Sequence, residues 1–443
     1  MTEPKVKHRE PLVIGRSEHR ISRANISDNA LKVLYRLKNA GYAAYLVGGG
    51  VRDRSLGREP KDFDVATDAT PEQVKEQFRN CRLIGRRFRL AHVHFGREII
   101  EVATFRALHD GSADDQERVL EDGRILRDNV FGSIEEDALR RDFTINALYY
   151  NIADFSVVDY AGGMADLERG LVRLIGDPDV RYREDPVRML RAVRFAVKLG
   201  FRIDPATADP MRELGSMLEH IPAARMFEEV LKLFLAGQGL ETFEALRHHD
   251  LFRYLFPQTN AILDNDRHGV AMAFVSRALD NTDRRIAEDR PVTPAFLFAA
   301  MLWPVVQGRS KAYLDDATSR GQALQQASSD VVERQVRVVT LPKRFGIPMR
   351  EIWSLQPRLE RHGGKRALRL LGHPRFRAAY DFLLLRAETG DADPDVAAWW
   401  TRVQEVPPEE RQEMAASSGP RRKGRRRRRR DAGGDSDADG EEE

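Results

Sequence analysis

Hydrophobic positions in the first 160 residues change their period several times. Over "NALKVLYRLKN" the apolar residues recur at three- and four-residue spacing, which predicts a helix capped by Asp28 and stopped at Gly41. "AAYLV" is an apolar run of strand length, "VRDRSLG" a short helix, and "DFDVAT" alternates as a half-buried strand does. Thr70, Pro71 and Gln73 supply a cap, a first-turn proline and a capping-box partner for the next helix. "RLAHVHF" and "EIIEVATFR", joined by Gly96 and Arg97, predict a hairpin. This part therefore predicts a small α/β unit behind a polar, irregular stretch of about 27 residues.

From Met164 onward the period becomes helical, in "PVRMLRAVRFAVKLGF", "MFEEVLKLFLAGQGLETFEALRHHDLFRYLF", "PAFLFAAMLW" and "FRAAYDFLLLRAE". No strand-rich block and no fixed-period repeat follows. The fold class expected is α+β, a small mixed-sheet head followed by an all-α region. Beyond roughly residue 410 aromatic and β-branched residues disappear, and disorder is expected there.

Composition narrows the picture. A chain of 443 residues, 42% hydrophobic and 32% charged, is long enough for several packed units. The apolar run "AFLFAAMLW" between Pro294 and Pro304 falls far short of the roughly 20 residues of a spanning helix, and the N-terminal segment has no apolar core for a secretory signal. No membrane span and a cytoplasmic place are expected. The single Cys81 excludes an internal disulfide and a cysteine-cluster zinc site, and it reads as a small packing residue. The net charge of +3 hides an asymmetry: residues 421 to 430 carry nine basic groups and residues 431 to 443 seven acidic ones. The remainder is balanced.

The stretch "LVGGGVRDRSLGREPKDFDVAT" carries the first candidate chemistry. Its glycines do not fit a dinucleotide fingerprint, because the sixth position counted from Gly48 is Asp53, and no lysine followed by Ser or Thr closes a Walker loop. What remains is a strand, a turn without side chains at Gly48 and Gly49, and Arg52 on the next helix, a set suited to holding phosphates or to tight packing. On a strand Asp62 and Asp64 point to one face while Phe63 and Val65 pack on the other. Adjacent carboxylates repel unless a cation lies between them, and magnesium, with carboxylate and phosphate oxygens, suits that place. Glu101 and Asp142 are both candidates for a third carboxylate. In "YREDPVRMLRAVRFA", Asp185 caps a helix with Pro186 at its first position, so Arg188, Arg191 and Arg194 run at spacing three as a wall facing anions. "RHHDLF" lacks the further His and Asp of a metal-dependent phosphohydrolase and reads as a solvated helix end. His92 and His94 lack a third ligand and read as packing or RNA contacts.

Taken in order, "LVGGGVRD…DFDVAT", "RRDFTINALYY" and "YREDPVRMLRAVRFA" resemble the class II nucleotidyltransferases, which comprise the CCA-adding tRNA enzymes and the bacterial poly(A) polymerases. "NCRLIGRRFRLAHVHFG", "RDNVFGSIEEDALRRDFTIN", "FRAAYDFLLLRAE" and the arginine-rich tail are similar to the poly(A) polymerase branch. The likeness covers roughly residues 20 to 430. It implies an N-terminal extension (1–27), a catalytic head (28–163), a helical neck with a nucleotide-recognition helix (164–225), an RNA-binding body and leg (226–410) and a basic then acidic tail (411–443). It further implies Asp62 and Asp64 as metal-binding carboxylates of a two-metal Mg2+ site and Asp142 as the third acidic active-site residue. Arg141 and Asn146 are implied at the ribose, Gly48, Gly49 and Arg52 at the triphosphate, Glu184, Asp185 and Arg188 at the base, and Arg191 and Arg194 near the phosphates.

The activity implied is template-independent addition of AMP from ATP to RNA 3′ ends in mRNA processing and RNA turnover. ATP, RNA 3′ ends and RNA-decay proteins are the implied partners. A CCA-adding tRNA nucleotidyltransferase and a non-catalytic RNA-binding protein are the alternatives. RNA contacts are expected from Arg350, Arg358, Arg361, Lys365, Arg366 and Arg369, gathered around Trp353 as a stacking platform, and from the basic run 421–430. The acidic run after that tail departs from the family pattern, and the two charge blocks can pair with each other in a salt-dependent way.

Overall fold

The computed structural model describes residues 10–85, 89–107, 118–121, 124–128, 130–315 and 318–417. Residues 86–88 of the "LIGRRFRLAHV" segment and the charged runs 421–443 lie outside the described residues. The chain forms two compact units divided between Met349 and Arg350.

In the first unit the strands are, in chain order, β1 (Leu12–Ile14), β2 (Ala44–Val47), β3 (Asp64–Thr67), β4 (Cys81–Ile84), β5 (Leu90–Phe95), β6 (Glu98–Thr104), β7 (Arg118–Glu121), β8 (Arg124–Asp128), β9 (Leu148–Asn151), β10 (Val157–Asp159), β11 (Leu171–Val172) and β12 (Arg202–Ile203). Eight of them form one mixed sheet in the order β1-β10-β9-β2-β3-β6-β5-β4. Only β3 and β6 are parallel neighbours in it; the other pairs are antiparallel. The expected hairpin is β5 and β6. The helix Asp28–Asn39 buries Ala30, Val33, Leu34 and Leu37 against β2, β3 and β6. Its cap is Ser27, whose hydroxyl accepts from the Ala30 N–H at 3.1 Å, and Asp28 is the first helical residue. Thr70 and Gln73 close the predicted capping box.

Besides the Asp28 cap, which Ser27 replaces, three expectations are corrected. The stretch before residue 28 is not wholly irregular, because Leu12–Ile14 pairs with β10 at the sheet edge; a three-residue strand carries no period of its own. The strand expected over "DFDVAT" starts only at Asp64. Its antiparallel neighbour β2 stops at Val47, which pairs with Asp64, so Asp62 and Phe63 have no partner on that side. The chain beyond residue 410 continues as the helix Pro408–Ser417, with Ala415 buried and Met414 packed on the Trp400 cluster. A proline at its start and two acidic residues in its first turn favour that helix.

Beyond β10 the first unit is almost entirely helical, as the period predicts. The helices Val187–Leu199 and Ala223–Phe234 matter for the site. Pro294–Ala312 is buried along most of its length and runs through Pro304, and among the described residues no helix is long and apolar enough to cross a membrane. The second unit has its own core around Trp400, Leu359, Phe376 and Leu383, with the Trp400 indole N–H donating to the Leu359 carbonyl at 2.8 Å.

Candidate active site

Strand β2 delivers the chain to the glycine turn. Leu46 and Val47 are buried, and Gly48 then adopts φ +69°, where a side chain would be strained, before the helix Gly49–Ser55 begins. A Cβ on Gly48 would lie 3.7 Å from the Arg141 guanidinium and 3.9 Å from the Asn146 carbonyl oxygen, and one on Gly49 would lie 3.6 Å from Arg52 Nη2. The turn is thus set directly against "RRDFTIN". A Cβ on Gly50 would lie 3.5 Å from the half-buried Phe63 ring.

Arg52 is 3% exposed. Its Nε donates to Asp53 Oδ1 at 2.7 Å and its Nη1 to Asn146 Oδ1 at 2.6 Å. The Asn146 amide in turn donates to Asp142 Oδ1 at 3.1 Å, and Asp142 Oδ2 accepts from Arg191 Nε at 2.8 Å. A polar relay therefore links the glycine helix, through Asn146 and Asp142, to the arginine helix Val187–Leu199. Burial raises the Asp142 pKa, but the Arg191 guanidinium, Asn146 and the Phe143 N–H together hold it below the usual carboxylate range. Arg141 is fixed separately, donating to Asp137 Oδ2 at 2.9 Å and to the Tyr149 hydroxyl at 2.8 Å. The Tyr149 O–H donates to the same Asp137 oxygen at 2.6 Å.

Asp62 is exposed and Asp64 half-buried at the mouth of this arrangement. In register Asp64 stands between Val47 and Glu101. Burial, then the Glu101 charge, and also Asp62, push the Asp64 carboxyl up to about 6, while Arg141 pulls it down. Glu101 faces His92 across the next strand pair, with Nε2 and Oε2 3.4 Å apart. Among the described residues neither Asp62 nor Asp64 has an ion-pair partner, and no three His, Cys, Asp or Glu side chains are grouped to hold a metal. Two hard carboxylates without a counter-cation suit Mg2+ that takes its other ligands from water and phosphate. Asp142 is held in the relay beside them, its oxygens accepting from Arg191, Asn146 and the Phe143 N–H.

The residues implied at the base form a second group. The helix Pro178–Glu184 ends at Asp185, and the arginine helix starts at Val187 with Pro186, not Asp185, in the cap position; Asp185 Oδ1 accepts from the Val187 N–H at 3.3 Å, while Oδ2 meets Arg225 Nη2 at 2.7 Å. Arg188 Nη1 donates to Glu184 Oε2 at 2.8 Å and to the Arg181 carbonyl at 2.7 Å. Arg181 joins this group to the first by donating to the carbonyls of Arg140 and Arg141. Arg194 keeps a buried Nε without a hydrogen-bond partner.

Sequence reasoning missed Phe195. Three guanidinium groups converge on its ring, Arg194 at 4.6 Å, Arg52 at 5.1 Å and Arg191 at 5.4 Å. It stands in the arginine helix as one more apolar residue, and nothing in spacing marks it as the centre of a cation cluster. Arg225 was missed because its partner Asp185 lies 40 residues away, and Asp137 and Tyr149, though near Arg141 in sequence, belong to no motif that marks them. The "RHHDLF" histidines lie at a helix end, His248 exposed and His249 half-buried, and burial followed by the His248 charge pushes His249 down.

In the second unit Arg350, Arg358, Arg361, Arg366 and Arg369 are exposed, as an RNA surface requires. The Lys365 side chain lies outside the described residues. Trp353 is fully buried, so the expected stacking platform is corrected. The helix Lys343–Glu360 turns Met349, Ile352, Trp353, Gln356 and Leu359 inward on one face, and the indole goes with them.

Comparison with known proteins adds a second line of observation. Residues 44–173 match the poly A polymerase head domain, residues 200–263 the probable RNA and SrmB-binding site of polymerase A, and residues 317–432 the polymerase A arginine-rich C-terminus. The chain is 54% identical over 397 residues to poly(A) polymerase I of Salmonella typhimurium, covering 88% of this chain and 85% of that one. To the CCA-adding enzyme of Bacillus subtilis it is 38% identical over 224 residues, about half of each chain. The crystal structure of the Bacillus stearothermophilus CCA-adding enzyme in complex with CTP superposes with a TM-score of 0.55 at 27% identity, over 84% of this chain and 80% of that one.

Proposed function

The chain belongs to the poly(A) polymerase I family, and from that premise we propose how its residues add AMP from ATP to RNA 3′ ends without a template. The observation that carries the reading is the Asp62–Asp64 pair, unpartnered by any described cation and facing the glycine turn through Arg141. When bound, Mg2+ supplies the charge that activates an attacking hydroxyl and offsets charge on a leaving group.

Asp62 and Asp64 would hold that ion, whose charge would offset first the burial and then the Glu101 and Asp62 repulsion that raise the Asp64 pKa. Gly48 and Gly49 let backbone approach the triphosphate, with Arg52 behind them and Arg191 and Arg194 on the opposite helix. Asn146, Arg141 and Asp142 bear on the ribose, and Asp185 and Arg188 on the base. In the transfer, the RNA 3′-oxygen forms a bond to the α-phosphorus as the bond to pyrophosphate breaks, and the hydroxyl proton leaves to solvent. The exposed arginines of the second unit, Arg358, Arg361, Arg366 and Arg369, together with Lys365, guide the RNA backbone. Action in the cytoplasm and contact with RNA-decay proteins belong to the same reading.

The test offers purified protein each nucleotide separately, on a short RNA and on a tRNA lacking its terminal CCA. Long runs of A from ATP on either acceptor are expected. CTP-dependent addition stopping after three nucleotides would replace this reading with a CCA-adding one.

A further inference from the structure

The helix Ala223–Phe234 packs against the arginine helix Val187–Leu199 and carries Arg225 and Glu229 four positions apart on one face. Arg225 ties down Asp185. Glu229, one turn further on, is 5% exposed. Its Oε1 accepts from Lys232 Nζ at 2.9 Å, while Oε2 is buried without a hydrogen-bond partner. The Glu229 charge acts on both Arg191 and Arg194, favouring their charged forms against burial.

A buried carboxylate oxygen left without a donor is costly and calls for a reason. Three guanidinium groups crowd around Phe195, and among the described residues two carboxylates, Asp53 and Asp142, accept hydrogen bonds from them, beside the neutral Asn146 side-chain carbonyl. A wall with that surplus of positive charge would retain a multiply charged product. Glu229 removes part of the surplus without occupying the N–H groups of Arg194.

We propose that Glu229 is a positioning residue acting through Arg191 and Arg194, a fixed negative charge that limits how tightly the arginine row holds polyphosphate and so speeds pyrophosphate release. It rests on the polyadenylation reading for the identity of the product. A buried unit charge on the helix packed against the arginine row, in an effective dielectric of about 20, changes anion affinity by about tenfold, and Lys232 and solvent reduce this to about fivefold.

The test is calorimetric titration of the full chain with inorganic pyrophosphate, which needs no turnover. Glu229→Gln keeps the shape and removes the charge, so pyrophosphate should bind about fivefold tighter with a steeper salt dependence, while adenosine affinity stays unchanged. Glu229→Asp should restore the wild-type value. Lys232→Met, which leaves the carboxylate more negative in effect, should weaken pyrophosphate binding and serves where the Gln variant does not fold. In turnover, kcat and the KM for ATP should fall together in Glu229→Gln. Unchanged or weaker pyrophosphate binding by a folded Glu229→Gln overturns the proposal, as does unchanged binding by Lys232→Met. Failure of the wild type to add AMP would defeat the functional reading alone, because the titration still reports on Glu229.

Discussion

Arg191 and Asp142 lie 49 residues apart in sequence, and the Arg191 Nε donates to Asp142 Oδ2 at 2.8 Å. The bond makes the arginine helix and "RRDFTIN" one unit, since Asp142 also accepts from Asn146, which accepts from Arg52. Removing either partner leaves the other partly buried and unpaired. Asp142→Ala and Arg191→Ala should each destabilise the protein by about 1–3 kcal/mol, with a coupling energy of about 1 kcal/mol or more in a double-mutant cycle. Urea unfolding of the four proteins measures it, and additive losses would mean that the contact does not bind the two segments together.

Asp64 has a definite pH signature. Its folded pKa of about 6 exceeds the ordinary 3.8, so the folded state binds more protons than the unfolded one between those values. Stability from this group is therefore present at low pH and declines as pH rises from about 4 to about 6. With EDTA present at pH 8, Asp64→Asn should be more stable than wild type by about 1–2 kcal/mol, an advantage that vanishes near pH 4. Adding Mg2+ should restore the wild type and leave the variant unmoved. Melting curves at the two pH values decide it.

Asp62 should separate activity from stability. Because it is exposed, Asp62→Ala should alter folding by no more than about 0.5 kcal/mol while lowering AMP incorporation on the order of a hundredfold or more. Near-normal incorporation would remove it from the site.

Trp353 tests the correction made to the RNA surface. Truncation of a fully buried indole should cost about 3–5 kcal/mol of stability, with RNA affinity unchanged in the folded fraction. Arg358→Ala or Arg361→Ala should do the reverse, leaving the melting temperature in place and weakening RNA of every sequence alike. Filter binding across salt concentrations distinguishes the two behaviours.

The basic run 421–430 is predicted to act through counterion release. Its deletion should weaken RNA binding and flatten the dependence of log affinity on log salt. An unchanged slope would assign the run no part in holding RNA, with the acidic run beside it as its partner instead.

Local order alone determined much of this protein. The helical period after Met164, the strand before Gly48, the Thr70 capping box and the Gly96 hairpin all depend on residues within a few positions of each other, and all are legible in the chain. The Asp62 and Asp64 spacing is local too, so the candidate metal carboxylates could be read directly. What only the tertiary structure decided involves partners far apart in sequence. The antiparallel pairing of Val47 with Asp64 set where β3 begins, and the folding back of the arginine helix placed Phe195 under three guanidinium groups. It also gave Asp142 to Arg191 and left one oxygen of Glu229 without a donor. Burial and ion pairing depend on which surfaces meet, and neither hydrophobic period nor residue spacing contains that information.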